Sequence, residues 1–318
     1  MDFPEPALRP AIVERYARIL ATFGHEIGKR SLVLPSAEFF PDRYTGDGAS
    51  ASRLVERMME HAGLSDVPLT TRIIDGEEPE SPHAGGCSSG CQVPAALAAS
   101  VPRLTDDGDT WMLNIPKHEL AHSVVLTTMV ARALGHVFLV ETLPAGARVD
   151  PPVELTADYA AVALGFGALL LEGAYIYSKS CGGPKVASVT ATSIGELALV
   201  TALFIEAGGH SARRALSTAG TTQKAVLSEA HSWAKSNSAL VRALRDDPDR
   251  VTSGGLPLED AKPWLFRILK RGSADDLPRD LVTRTKALAP APKPPDPKTD
   301  ELRSLVDEAL REARADAE

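Results

Sequence analysis

His118-Glu119-Leu120-Ala121-His122 matches the pattern H-E-x-x-H. On an α-helix the two histidines stand on one face a turn apart. Two imidazoles can then hold one Zn²⁺ while the glutamate beside the first reaches a metal-bound water. Such a site takes a third protein ligand. Glu154, at the start of the next apolar helix, is a candidate, and Asp158 one turn later can orient a ligand histidine by hydrogen bonding to its second nitrogen. The same residues admit a plainer account. His118 follows Pro116 by two positions and falls in a first helical turn, where His122 or Ser123 can cap free backbone groups. Acids at 154 and 158 also favour the N-terminal dipole of their own helix.

The surrounding stretches resemble the zincin-like metallopeptidases whose third ligand is a glutamate from a following helix. More narrowly, they are similar to a group of uncharacterised bacterial proteins with that fold. The likeness covers roughly 11–244. It is carried by VLPSAEFFPDRYTGDG at Val33–Gly48, similar to a proline-bounded EFFPD segment, and by ELTADYAAVALGFG at Glu154–Gly167. The second resembles a helix in which an E-x-x-x-D pair supplies the metal ligand and its supporter.

In that group the last histidine of the motif precedes the pair by the spacing that here separates His136 from Glu154, 18 residues. The stretch ending there is Arg132-Ala133-Leu134-Gly135-His136, which reads as H-E-L-G-H with its first histidine and its glutamate replaced. The resemblance therefore implies a degenerate site of Arg132, Ala133, His136, Glu154 and Asp158. The expectation is a non-catalytic protein without a cofactor, acting in binding or regulation. Arg132 brings a permanent cation to a ligand position, where it should pair with Glu154 or Asp158 and repel Zn²⁺. The alternative is an active zinc peptidase with His118, His122 and Glu154 as ligands and Glu119 as general base. One Glu154 cannot serve both motifs, because 14 helical residues from His122 to His136 span about 21 Å.

Other reactive residues form weaker patterns. Cys87-x-x-x-Cys91 and the distant Cys181 do not have a zinc spacing. Gly165-Phe-Gly167 and Gly182-Gly183 lack the Lys-Ser/Thr of a phosphate loop, so no nucleotide is expected. Ser217, Ser228 and His231 show no nucleophile elbow.

The elements that must position these residues follow from apolar periodicity. Helices are expected at Pro10–Arg30, Ala51–Ala62, from Pro116 to about Val140, and at Glu154–Tyr177. After a break at Cys181–Pro184, three more are expected at Ser193–Ala207, Gln223–Leu244 and Leu258–Lys270. Short strands are expected at Ser31–Leu34, Leu69–Ile74 and Trp111–Ile115, with a loop at Gly76–Gly90. The fold class is thus α+β, mainly helical, with the zincin-like helices packed on a small sheet. The globular part should span 1–287, with 1–75 as a candidate N-terminal subdomain. A Pro-rich linker should follow at 288–300, then an amphipathic helix at 301–318 whose stripe of Leu302, Leu305, Val306 and Leu310 suits a protein or peptide partner.

Composition bounds these readings. The 318 residues are 44% hydrophobic and 24% charged, which excludes wholesale disorder and fibrous classes. Forty-two acids against 34 bases give a net charge of −8 and argue against nucleic-acid binding. Three cysteines point to a reducing compartment. The proline-broken opening MDFPEPALRP lacks the features of a signal peptide. The longest charge-free run in the apolar middle of the chain, Tyr159–Leu171, is 13 residues and too short to cross a bilayer. A cytoplasmic location is expected.

Overall fold

The computed structural model describes residues 3–23, 29–75, 103–143, 148–180, 183–254 and 256–260. The chain divides into two compact units, Met1–Lys262 and Pro263–Glu318, and every described residue lies in the first. The expected linker at 288–300, the helix at 301–318, the loop at 76–90 and all three cysteines lie outside the described residues. So does most of the helix expected at Leu258–Lys270, although Leu258–Asp260 is irregular rather than helical.

The fold is α+β and mainly helical. Helix α1 (Arg9–Phe23) buries Ile12, Val13, Tyr16, Ile19 and Leu20 along one stripe. Helix α2 (Gly48–Ala62) starts at a capping box of Asp47 and Ser50 and stops at Gly63, whose left-handed φ of 64° closes the end. A three-stranded sheet has the order β1-β3-β2. Strand β1 (Leu69–Ile74) pairs in parallel with β3 (Trp111–Pro116), and β2 (Leu104–Asp106) pairs antiparallel on its other side. Trp111, Leu113 and Ile115 of the central strand point into the core.

The expected strand at Ser31–Leu34 does not form. Leu32, Val33 and Leu34 are buried as an apolar strand would be, but the Val33 amide donates to the Gly165 carbonyl at 2.9 Å, so this backbone joins a helix kink instead of a ladder. That kink also divides the single helix expected at Glu154–Tyr177 into α4 (Val153–Ala161), a π turn at Val162–Phe166 and α5 (Gly167–Ala174). Gly165 has φ 99°, and a Cβ there would lie 2.2 Å from the Ser31 carbonyl oxygen, so both its conformation and its neighbour exclude a side chain.

Helix α3 (Ser123–Thr142) precedes α4 and packs against it. After α5 comes a hairpin that periodicity did not suggest, β4 (Ile176–Ser180) against β5 (Gly183–Ala187). Helix α6 (Ile194–Gly208) is buried almost throughout and packs on α5 and on α8 (Thr221–Ser236). Helix α7 (Ala212–Thr218) links them, and α9 (Ser238–Asp246) and α10 (Asp249–Thr252) follow. The expected helix Gln223–Leu244 breaks at Asn237. The Asn237 side chain donates to the carbonyls of Trp233 and Glu259 and accepts from the Glu259 amide, pinning the end of the described chain to the α8–α9 corner.

Helix α3 and the run Val153–Ala174 are long and apolar enough to cross a membrane, which the charge-free run alone did not reveal. Both are mostly buried inside this molecule, as the core helices of a soluble protein are.

Candidate functional site

Gly135 sets how closely α3 and α4 approach. A Cβ at this position would stand 2.3 Å from the Ala157 carbonyl oxygen and 2.9 Å from the Ala161 amide nitrogen, so the two backbones meet where only glycine fits. Arg132 and His136, one turn apart on α3, thereby face Asp158 and Glu154, one turn apart on α4. Arg132 Nε donates to Asp158 Oδ1 at 2.6 Å, and its Nη1 donates to the Val189 carbonyl at 2.8 Å. Asp158 Oδ2 accepts from the backbone amides of Ala191 and Thr192, each at 2.9 Å. Asp158 is fully buried and the Arg132 side chain is 18% exposed.

The carboxylate therefore accepts from one charged and two backbone donors. The pair also fastens the segment Ser188–Ser193, just ahead of α6, across the two helices. His136 is half-buried, with the Trp111 ring edge-on at 6.1 Å. Burial pushes its pKa below the usual imidazole value, and the charge of the exposed Glu154 offsets part of that shift. Ala133, where the glutamate of the resembled motif would stand, belongs to the hydrophobic core. The described geometry thus brings Arg132, His136, Glu154 and Asp158 together and sets Ala133 apart from them.

The HELAH stretch is not the opening of a long helix. Lys117–Ala121 forms a 3₁₀ turn, His122 leaves helical geometry at φ −120°, ψ 82°, and α3 starts only at Ser123. His118 and His122 consequently do not share an α-helical face. His122 caps α3 through no side-chain bond, which also corrects the simpler account in which its ring caps the turn. Tertiary partners explain the departure. The Tyr44 hydroxyl donates to the Leu120 carbonyl at 2.6 Å, and Glu119 turns inward to Arg103. Arg103 grips both Glu119 oxygens, Nη1 to Oε2 at 2.6 Å and Nη2 to Oε1, and Glu119 is 0% exposed. His118 Nε2 lies 4.0 Å from Glu119 Oε1, and its Nδ1 is buried without a hydrogen-bond partner.

These donor sets do not fit Zn²⁺. A general base needs a free carboxylate oxygen beside the metal, and both Glu119 oxygens are engaged by a guanidinium. Among the described residues no three His, Cys, Asp or Glu side chains converge closely enough to hold an ion. At the second site the position where the resemblance expects a ligand holds a permanent cation, Arg132.

The EFFPD segment packs against α2. Phe39 and Phe40 pack edge-on against His61 of α2 at 5.5 and 5.9 Å, and the His61 ring hydrogen-bonds the Phe39 carbonyl. Arg103 and the Val189–Thr192 backbone were not among the residues singled out from sequence. A buried glutamate demands a cationic partner, but nothing in the spacing says which of the chain's arginines supplies it. The backbone donors to Asp158 come from a loop that carries no side-chain signature. Comparison with known proteins gives no further lead: no protein family, curated protein or solved structure matches the chain.

Proposed function

We propose that this chain is a non-catalytic relative of the zincin-like metallopeptidases that acts in binding or regulation, in the cytoplasm and without a cofactor. The observation that supports it is the Arg132–Asp158 pair. At the register where the resemblance expects a histidine ligand and its acidic supporter, the chain has a guanidinium and a carboxylate that satisfy each other. Arginine does not deprotonate and does not ligate zinc, so this position contributes charge and cross-linking rather than Lewis-acid chemistry. Its role is to hold α3, α4 and Ser188–Ser193 as one rigid platform. A protein or peptide partner reached through the helix expected at 301–318 belongs to the same proposal and rests on the sequence pattern alone.

The test is metal content together with activity. Full-length protein purified without chelators should carry well under one zinc per chain by elemental mass spectrometry and should leave a labelled casein substrate intact. One zinc per chain, with proteolysis abolished by Glu119→Gln, would establish the active alternative instead.

A further inference from the structure

A cavity of about 310 Å³ lies between α1, the C-terminal end of α6 and the end of α9. None of its described lining belongs to α3 or α4, so the cavity stands apart from the Arg132–Asp158 site and its proposed role. Leu20, Phe204 and Leu244 form apolar walls, and among the described residues no acid lines the cavity. Tyr16 is 1% exposed, and among the described residues its hydroxyl makes no hydrogen bond. Tyr16 lines the cavity, so its hydroxyl can donate a hydrogen bond to a ligand there. Burial raises its pKa far above the ordinary phenol value, so the hydroxyl remains a donor at every physiological pH.

Two cations belong to the described lining. Arg245 is committed, because its Nε and Nη2 donate to the carbonyls of Ala207 and Glu206 at 2.6 and 2.9 Å and neutralise the negative end of α6. Lys29 is exposed, lines the same cavity and makes no ion pair with any described residue. The described lining therefore offers one phenolic donor, one uncommitted positive charge and apolar walls. A phosphate dianion would need more donors than these, and both charged side chains of the described lining are cationic, which disfavours a cation. The volume falls at the small end of ligand pockets, which start near ~300 Å³.

We propose that this cavity binds a small monocarboxylate with an alkyl or aryl body. Its carboxylate accepts the Tyr16 proton in a hydrogen bond and faces the Lys29 ammonium, while its body lies against Leu20, Phe204 and Leu244. Octanoate is a suitable probe and octylammonium its control of opposite charge, each titrated calorimetrically into the full-length chain. Octanoate should bind once per chain, with octylammonium at least about tenfold weaker. Lys29→Glu alters an exposed side chain and should weaken octanoate by about tenfold or more without moving the melting temperature. Tyr16→Phe keeps the ring and removes only the donor, and should weaken octanoate at least about threefold, of the order expected for one hydrogen bond. No saturable octanoate heat, equal affinity for octylammonium, or indifference to Lys29→Glu in a folded variant would overturn the proposal. Indifference to Tyr16→Phe would overturn the part given to the phenol.

Discussion

Arg132→Met is the substitution whose cost follows most directly from the site. Methionine keeps an unbranched apolar stem and removes only the guanidinium, so the packing of α3 changes little. Asp158 keeps its two backbone donors but loses its countercharge in a position with no access to water, and the Val189 carbonyl loses its donor. Removing one partner of a buried ion pair costs about 3–5 kcal/mol. The pair is buried on the carboxylate side and only partly on the other, so the lower half of that range applies, about 3–4 kcal/mol. At roughly 2–4 °C per kcal/mol for a chain of this size, the melting temperature should fall by about 6–16 °C. Asp158→Leu alone should cost at least as much, because it strands both the guanidinium and two backbone amides. The double variant should cost less than the sum of the two by about 2 kcal/mol, a coupling expected only of side chains in contact. Differential scanning calorimetry of the four proteins closes the cycle. A fall of less than about 2 °C for Arg132→Met, or strict additivity in the double variant, would show that the two side chains do not support each other.

Three further outcomes are expected. Gly135→Ala should lower stability by about 2–3 kcal/mol in urea unfolding, because the added methyl meets the Ala157 carbonyl at 2.3 Å and overpacking outweighs the roughly 1 kcal/mol gained in helix propensity; a stabilised variant would mean that α3 and α4 part easily. Glu119→Gln should shift the urea midpoint down by an equivalent of about 2–4 kcal/mol, since a carboxamide cannot match both Arg103 nitrogens; an unchanged midpoint would show that the buried pair contributes nothing to folding. His136 and His210 both have pKa values lowered by burial. The unfolded chain therefore takes up these protons first, near pH 6.5, and stability should decline as the pH falls below about 6.5. Melting curves between about pH 7.5 and 5.5 should flatten in a His136→Gln/His210→Gln variant, and an unaltered slope would contradict the assignment.

Much of this fold was legible because burial follows periodicity. The stripes of α1, α2 and α6 and the β-branched run Leu69–Ile74 have the spacing their environments impose. The errors share a cause, which is that long-range partners overrode local pattern. Ser31–Leu34 has the composition of a strand but commits its amide to Gly165. Asn237 sits inside a continuous helical period, and its side chain ends the helix by binding Glu259. The 3₁₀ turn at HELAH follows from Arg103 and Tyr44, 16 and 76 residues away from the residues they hold. At the site, the 18-residue register and the charge of Arg132 were enough to expect a guanidinium–carboxylate pair across two helices. The choice of Asp158 over Glu154 was not legible, because it depends on two backbone amides in the Ala191–Thr192 loop that complete the solvation of one carboxylate and leave the other at the surface.

If a guanidinium occupies the place of a metal ligand, Arg132→His should turn the position back into one. This change removes the fixed cation, leaves Asp158 in need of a positive charge, and places a new imidazole one turn from His136 and across from Glu154. Zinc affinity is measured by competition with a chromophoric chelator for the wild-type chain and the variant. The expected result is no stoichiometric uptake by the wild type and one zinc per chain in Arg132→His, lost again on adding His136→Ala. Stoichiometric zinc in the wild type that disappears with His118→Ala, or an Arg132→His protein that folds and takes up none, would contradict the degenerate-site reading.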